Sequence, residues 1–258
     1  MENKKNHWCT CPKCKGTGSK RKRLGKKAQL QYQTTRDLFE KNTSDGTAPE
    51  LPKGQLHACS NCKGSGLVMS TQPPLAATND YPHVAIIGAG IGGVALAVAC
   101  LHRGIPFTLY ERDDRFNTRS QGYGLTLQQG GKALAGLGIL ALEAGITSTR
   151  HVVHTPEGKI IGEWGLRKWG RSDTKATPKR KNIHIARQSL RLALLEQLGD
   201  LNGVQWGHQL LNLNEVKNKG ATLEFQVNNE VKRAKADLVV GADGIRSTVR
   251  RLFIGEET

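Results

Sequence analysis

The chain has 258 residues, of which 37% are hydrophobic and 30 are glycine, and it carries a formal net charge of +16. That length holds one large domain or two smaller ones, and the composition suits a soluble α/β protein with many tight turns. No apolar run reaches the ~18–20 residues of a membrane-spanning helix, and residues 1–8 contain no apolar leader core, so a cytoplasmic location is expected.

The charge is uneven. Residues 1–72 hold 14 Lys and Arg against 5 Asp and Glu, and the other 186 residues hold 24 against 17. The densest stretch is Lys20-Arg21-Lys22-Arg23-Leu24-Gly25-Lys26-Lys27. It reads either as a solvated surface or as a contact for nucleic acid, another polyanion or a protein partner. Five of the six cysteines lie before residue 63. Cys11-Pro-Lys-Cys14-Lys-Gly-Thr-Gly18 and Cys59-Ser-Asn-Cys62-Lys-Gly-Ser-Gly66 are two copies of C-x-x-C-x-G-x-G. Each turn places two thiolates on one side of an ion, so Cys11, Cys14, Cys59 and Cys62 make up the ligand set of a closed tetrahedral zinc site. Disulfides or a redox pair are the alternatives, and a cytosolic chain disfavours disulfides. Cys9, His7 and His57 flank the knuckles as expected bystanders, and Cys100 reads as a small core residue. The repeat resembles the cysteine-rich zinc region of DnaJ-type chaperones. That resemblance covers only the two knuckles and carries no chaperone activity with it.

Between the knuckles, residues 27–41 predict a helix with sparse apolar positions Leu30, Leu38 and Phe39. Residues 70–80 read as a linker. The expected organisation is a zinc module at 1–70, a linker at 71–80, and a larger domain at 81–258.

Residues 84–111 form the most informative stretch. Val84–Ile87 suits a buried parallel strand, and Gly88, Gly90, Gly92 and Gly93 follow within G-x-G-x-x-G. Gly88 permits the tight turn, Gly90 lets a backbone approach a pyrophosphate, and Gly93 lets the helix pack closely on the strand. The helix start offers free N–H groups and a partial positive charge to that pyrophosphate. Phe107–Tyr110 is the second strand. It ends in Glu111, 18 residues after Gly93, where a carboxylate accepts from a ribose 2′-hydroxyl and disfavours a 2′-phosphate. That suits the adenosine of FAD or NAD better than that of NADP.

Farther on, residues 131–142 predict a helix and 152–164 a hairpin around Pro156–Lys159. Residues 167–181 read as a basic loop. Ile183–Arg187 leads into a helix expected over 190–198. Strands are expected at 204–213, 222–227 and 238–240. His184 reads as a core or edge residue, and Trp164 and Trp169 as ordinary packing before any aromatic pocket.

The order of these pieces resembles the FAD-dependent aromatic-hydroxylase class of monooxygenases, the para-hydroxybenzoate hydroxylase-like class A group. Four segments carry the resemblance: Gly88–Gly93 with Glu111-Arg112; Gly122-x-Gly-Leu-x-Leu127; Arg187-Gln-Ser-Leu190-Arg-x-x-Leu194; and Gly241-Ala-Asp-Gly-x-x-Ser-x-Val-Arg250. It implies a Rossmann-like FAD-binding βαβ domain with part of a β-sheet substrate domain at about 150–230. It implies that Gly88, Gly90, Gly93 and Glu111 hold the ADP half of FAD, with Arg112 beside the adenosine. Arg187 would reach the pyrophosphate, and Asp243 would order the flavin site and the NAD(P)H path. The implied chemistry is transfer of electrons from NAD(P)H to dioxygen, with one oxygen atom entering a small organic substrate, aromatic or not. No catalytic base is assigned.

The sequence departs from the class in two places. Gln128-Gln129-Gly130 stands where Pro-Asn is common, and no second Gly-Asp motif follows Arg250. The chain is therefore expected to be an N-terminal or truncated portion that binds FAD weakly and turns over poorly. The alternatives are a binding protein in which the basic zinc module contacts nucleic acid or a partner and the flavin half is a remnant, and another flavin oxidoreductase on the same fold.

Overall fold

The computed structural model describes residues 7–41, 47–72, 74–118, 122–128, 130–165, 182–199, 203–216 and 220–255. Its contacts divide into two compact units: Thr10–Val68, and Met69–Thr258 together with Met1–Cys9.

In chain order the first elements are β1 (His7–Thr10), β2 (Ser19–Arg21), α1 (Lys26–Lys41), β3 (Leu56–Ala58) and β4 (Leu67–Ser70), of which β2, α1 and β3 lie wholly within the smaller unit. β1 pairs with β4, and β2 pairs antiparallel with β3. The helix expected between the knuckles is present, and its sparse apolar spacing has the anticipated consequence: α1 buries none of its residues.

The larger unit begins with the βαβ sequence β5 (Val84–Ile87), α2 (Ile91–His102) and β6 (Phe107–Tyr110). There follow β7 (Gly124–Leu127), α3 (Gly130–Ala135), β8 (Ile146–Ser148), β9 (Arg150–His154), β10 (Ile160–Gly165), β11 (Asn182–Ala186) and α4 (Arg187–Gln197). The last elements are β12 (Val204–Gln205), β13 (Gln209–Glu215), β14 (Ala221–Val227), β15 (Glu230–Ala236), β16 (Leu238–Gly241) and α5 (Thr248–Ile254).

Four strands form an all-parallel sheet in the order β12-β6-β5-β16. β5 is apolar at every position because both of its faces are covered. Val84 and Ile86 face Val94, Val98, Leu190 and Leu194 of α2 and α4. Ala85 and Ile87 face the antiparallel sheet β13-β14-β15 through Leu223 and Phe225. One strand thus joins two cores by simple alternation. β7, β11 and β8 form a separate antiparallel sheet, and β9–β10 is the expected hairpin.

Several local expectations are corrected. The helix expected over 131–142 stops at Ala135, because Gly138 takes φ +81° and turns the chain at once. The strand expected over 204–213 is two strands in two sheets, separated at Gly207, whose φ is +68°. β15 and α5 are additional elements. The proposed linker end is anchored, with the Ala77 N–H donating to the Gly104 carbonyl at 2.8 Å. The basic segment 167–181, including Trp169, lies outside the described residues. Among the described residues, no helix is long and apolar enough to cross a membrane.

His102 ends α2 and is 3% exposed, with no hydrogen-bond partner at Nδ1. Burial, with Arg103 nearby, holds its imidazole down to about 4, against 6.5 in an open chain. As pH falls below 6.5 the unfolded chain takes up this proton first, so the folded state loses stability until about pH 4. Between pH 7 and pH 5 the loss is about 2 kcal/mol. In urea titrations of the larger unit, His102→Leu is expected to flatten that acid-side decline. An unchanged decline would show that the imidazole is not its source.

Candidate functional site

A cleft opens at the C-terminal ends of β5, β6 and β16, where parallel α/β sheets place their ligands. The residues after each strand border it: Gly88 and Gly90 after β5, Glu111, Arg112 and Asp113 after β6, and Ala242, Asp243 and Gly244 after β16. Arg187 and Arg191 enter from α4, and His208 from the turn into β13.

The fingerprint glycines play three different parts. Gly88 takes φ +103°, and a Cβ there would meet the Ala242 carbonyl at 2.7 Å, so the β5 and β16 loops pack backbone to backbone. A Cβ on Gly93 would lie 1.8 Å from the Gly88 carbonyl oxygen. Beside Gly90 nothing stands within 4 Å, and that open side borders the cleft. Gly92 is exposed on the first turn of α2, outside the cleft lining.

Glu111 is 9% exposed. Its Oε2 accepts from the Ala89 N–H at 2.8 Å and its Oε1 from the Asp113 N–H at 3.1 Å. A carboxylate has about four lone-pair sites, so two remain for a ligand's hydroxyls. The Asp243 carboxylate organises its own loop. It accepts from Ser247 Oγ and the Thr248 N–H, both at 2.6 Å, and from the Val249 N–H at 3.2 Å, which caps the start of α5. Arg112 is exposed at the rim. Arg187 is half-buried, with its guanidinium 5.4 Å from the Tyr123 ring centre.

The buried partner of this group is Arg191, to which sequence reasoning assigned no role. It is 7% exposed and donates from Nε to the Ala89 carbonyl at 2.7 Å. The available signal was its place four residues after Arg187 on one helix face. His184 and Trp164 lie away from the cleft: His184 pairs with Thr126 Oγ1 at 3.1 Å, and Trp164 stacks on His151 at 5.4 Å. Cys100 is 4% exposed in the core of α2, and burial pushes its thiol up.

The knuckles form a second candidate site. Their hydrogen bonds repeat with a constant offset of 48 residues. Cys11 N–H donates to Gly66 O and Cys59 N–H to Gly18 O, each at 2.8 Å. Thr17 and Ser65 hydroxyls each donate at 2.8 Å, to the Cys14 and Cys62 carbonyls. A Cβ on Gly18 would meet Gly64 O, and one on Gly66 would meet Gly16 O, each at 2.4 Å. The two turns therefore lock by close backbone approach across an internal pseudo-two-fold. They bring the buried sulfurs of Cys11, Cys14, Cys59 and Cys62, none of them in a disulfide, within 4.8 Å of one another. The Cys11–Cys59 and Cys14–Cys62 sulfurs are 4.0 and 3.7 Å apart. Tetrahedral zinc with Zn–S near 2.3 Å requires edges of about 3.8 Å. A hydrogen bond from Asn61 Nδ2 at 3.2 Å, partly opposed by burial, brings the Cys11 thiol down to about 6. Burial instead raises Cys14. Burial also acts upward on Cys62, but the Gly66 and Gly64 N–H groups bring it below its ordinary value. Cys9, His7 and His57 are not part of the ligand group among the described residues. The six cations of residues 20–27 are all exposed.

Comparison with known proteins adds the family. Residues 81–254 match the FAD-binding domain family. A protein of Arthroderma benhamiae named "Probable FAD-dependent monooxygenase" is 32% identical over 191 residues, covering 71% of this chain and 42% of that protein. The FAD-dependent monooxygenase pigN of Monascus ruber is 31% identical over 190 residues, covering 70% of this chain and 42% of that protein. The solved 2,6-dihydroxypyridine-3-hydroxylase of Arthrobacter nicotinovorans shares the fold, with a TM-score of 0.53 at 20% identity over 68% of this chain and 40% of that one. The chain thus spans about 42% of the length of the curated relatives it matches.

Proposed function

Because this chain belongs to the FAD-binding domain family, we propose that its cleft holds the ADP end of FAD and that it serves an FAD-dependent monooxygenase acting on a small organic substrate. The observation that carries this reading is convergence. The open side of Gly90, the Glu111 carboxylate, Arg187 and the Asp243 loop all border one cleft.

In this reading the first N–H groups of α2, beside Gly90, receive the pyrophosphate. The two remaining lone-pair sites of Glu111 accept the adenosine ribose hydroxyls, with Arg112 beside the adenosine. Arg187 offers a planar set of donors to phosphate oxygens. Asp243 orders its loop through Ser247, Thr248 and Val249, and the one lone-pair site left on Oδ1 borders the flavin site. Bound FAD would supply the redox chemistry, with NAD(P)H as electron source and dioxygen as oxidant. Residues 1–70 form a module closed by one structural zinc on Cys11, Cys14, Cys59 and Cys62. Residues 71–80 link it to the FAD-binding residues 81–258.

Reconstitution tests the reading. The purified chain is expected to bind FAD in an equilibrium flavin-fluorescence titration, and Glu111→Ala to weaken that binding by roughly 10- to 100-fold, the range for a hydrogen-bonded charge. A folded chain that shows no saturable FAD binding sinks the proposal.

A further inference from the structure

We propose that Arg191 is the positioning residue of the cleft: it clamps the fingerprint turn and aims the Glu111 carboxylate at the ribose. This rests on the FAD reading above and adds a residue that the reading does not use.

Ala89 lies between Gly88 and Gly90, two residues with no side chains to hold the turn in place. Backbone contacts secure Gly88, whose N–H donates to the Tyr110 carbonyl at 2.8 Å, and side chains grip the turn at Ala89. Its N–H donates to Glu111 Oε2 at 2.8 Å, and its carbonyl accepts from Arg191 Nε at 2.7 Å. The two gripping groups attract each other, with Arg191 Nη2 3.9 Å from the same Glu111 oxygen. Ala89, Glu111 and Arg191 therefore close a triangle.

The guanidinium is itself fixed. Nη1 donates to the Phe116 carbonyl at 3.4 Å, and the Phe116 and Trp206 rings pack at 5.1 and 5.6 Å from its central carbon. Although Arg191 borders the cleft, its hydrogen bonds go to protein groups. A buried cation with this arrangement is costly without its counter-charge, so Arg191 and Glu111 constrain each other's position. Glu111 oriented in this way keeps its two free lone-pair sites in one direction. Without Arg191, Glu111 keeps its acceptors but loses that direction.

The test is ribose discrimination by the full chain. The probes are FAD and its analogue lacking the adenosine 2′-hydroxyl, with dissociation constants read from flavin fluorescence and folding from circular dichroism. Wild type is expected to bind FAD about tenfold tighter than the analogue, the size of one charge-assisted hydrogen bond. Arg191→Met is expected to raise the FAD dissociation constant about tenfold and to bring the ratio near one. Arg191→Lys keeps a charge beside Glu111 but cannot fork to both carbonyls, so an intermediate ratio is expected. A folded Arg191→Met chain that keeps the wild-type ratio overturns the proposal, even if its melting temperature falls, because the residue would then be structural only. If Arg191→Met does not fold, a wild-type ratio in folded Arg191→Lys overturns it equally. Failure of wild type to bind FAD at all overturns the functional reading, and this inference with it.

Discussion

Changing Cys11 to serine is expected to empty the knuckle site and unfold residues 10–68 while the larger unit keeps its fold. Little else holds that unit. Its core cluster consists of Cys11, Cys14, Cys59 and Cys62, with Val68 packed against them. The 16-residue helix α1 buries nothing, and an isolated helix of that length is marginal in water. A structural zinc supplies about 10–16 kcal/mol in modules of this kind, far more than such a core could. Wild type is expected to carry one zinc per chain by metal analysis. Cys11→Ser should carry well under one and be cut rapidly by trypsin within residues 20–27. The internal pseudo-two-fold makes Cys59→Ser an equivalent lesion. A metal-free wild-type chain that resists trypsin as well as the metal-loaded one would rule out a structural ion.

Where the sequence carried spacing, it was readable. The knuckles repeat a rigid pattern in which Gly18 and Gly66, the last glycine of each motif, meet the backbone of the other turn, so the pairing of Cys11 and Cys14 with Cys59 and Cys62 follows from the motif. The β5–α2–β6 unit was equally legible, because an all-apolar four-residue strand next to a glycine turn has few other uses. What escaped was set by packing. β15 reads Glu-Val-Lys-Arg-Ala-Lys-Ala, and its polar side chains point outward along a sheet edge, so it shows no apolar run. The stretch from Val204 looked like one strand because the turn at Gly207 is short and both halves are apolar. Only their assignment to different sheets separates them. Arg191 escaped because nothing local marks a buried cation. Its partners at Ala89 and Phe116 are 102 and 75 residues away.

Three neighbouring alanine substitutions are expected to separate folding from binding in the cleft. Gly93→Ala carries the largest effect. Its Cβ would stand 1.8 Å from the Gly88 carbonyl and 3.3 Å from the Ala242 Cβ, in a contact between backbones that has no flexible side chain to yield. Both cleft loops must shift, costing about 3 kcal/mol of stability and abolishing FAD binding. Gly92→Ala, one residue away in the same helix, meets nothing within 4 Å and lies outside the cleft lining. It should keep FAD and gain up to about 1 kcal/mol from helix propensity. Gly90→Ala likewise meets no protein atom within 4 Å, so its stability should stay near wild type. Its methyl group enters the space assigned to the pyrophosphate, so FAD binding should fall at least about tenfold. Urea unfolding and FAD titration of the three variants check the pattern. If Gly90→Ala binds FAD like wild type, the open side of that residue does not face the cofactor. If Gly93→Ala melts like wild type, the loops are not held by the backbone contact described. Helix propensity alone would stabilise both Gly92→Ala and Gly93→Ala, which lie within α2, whereas the cleft geometry predicts opposite outcomes for them.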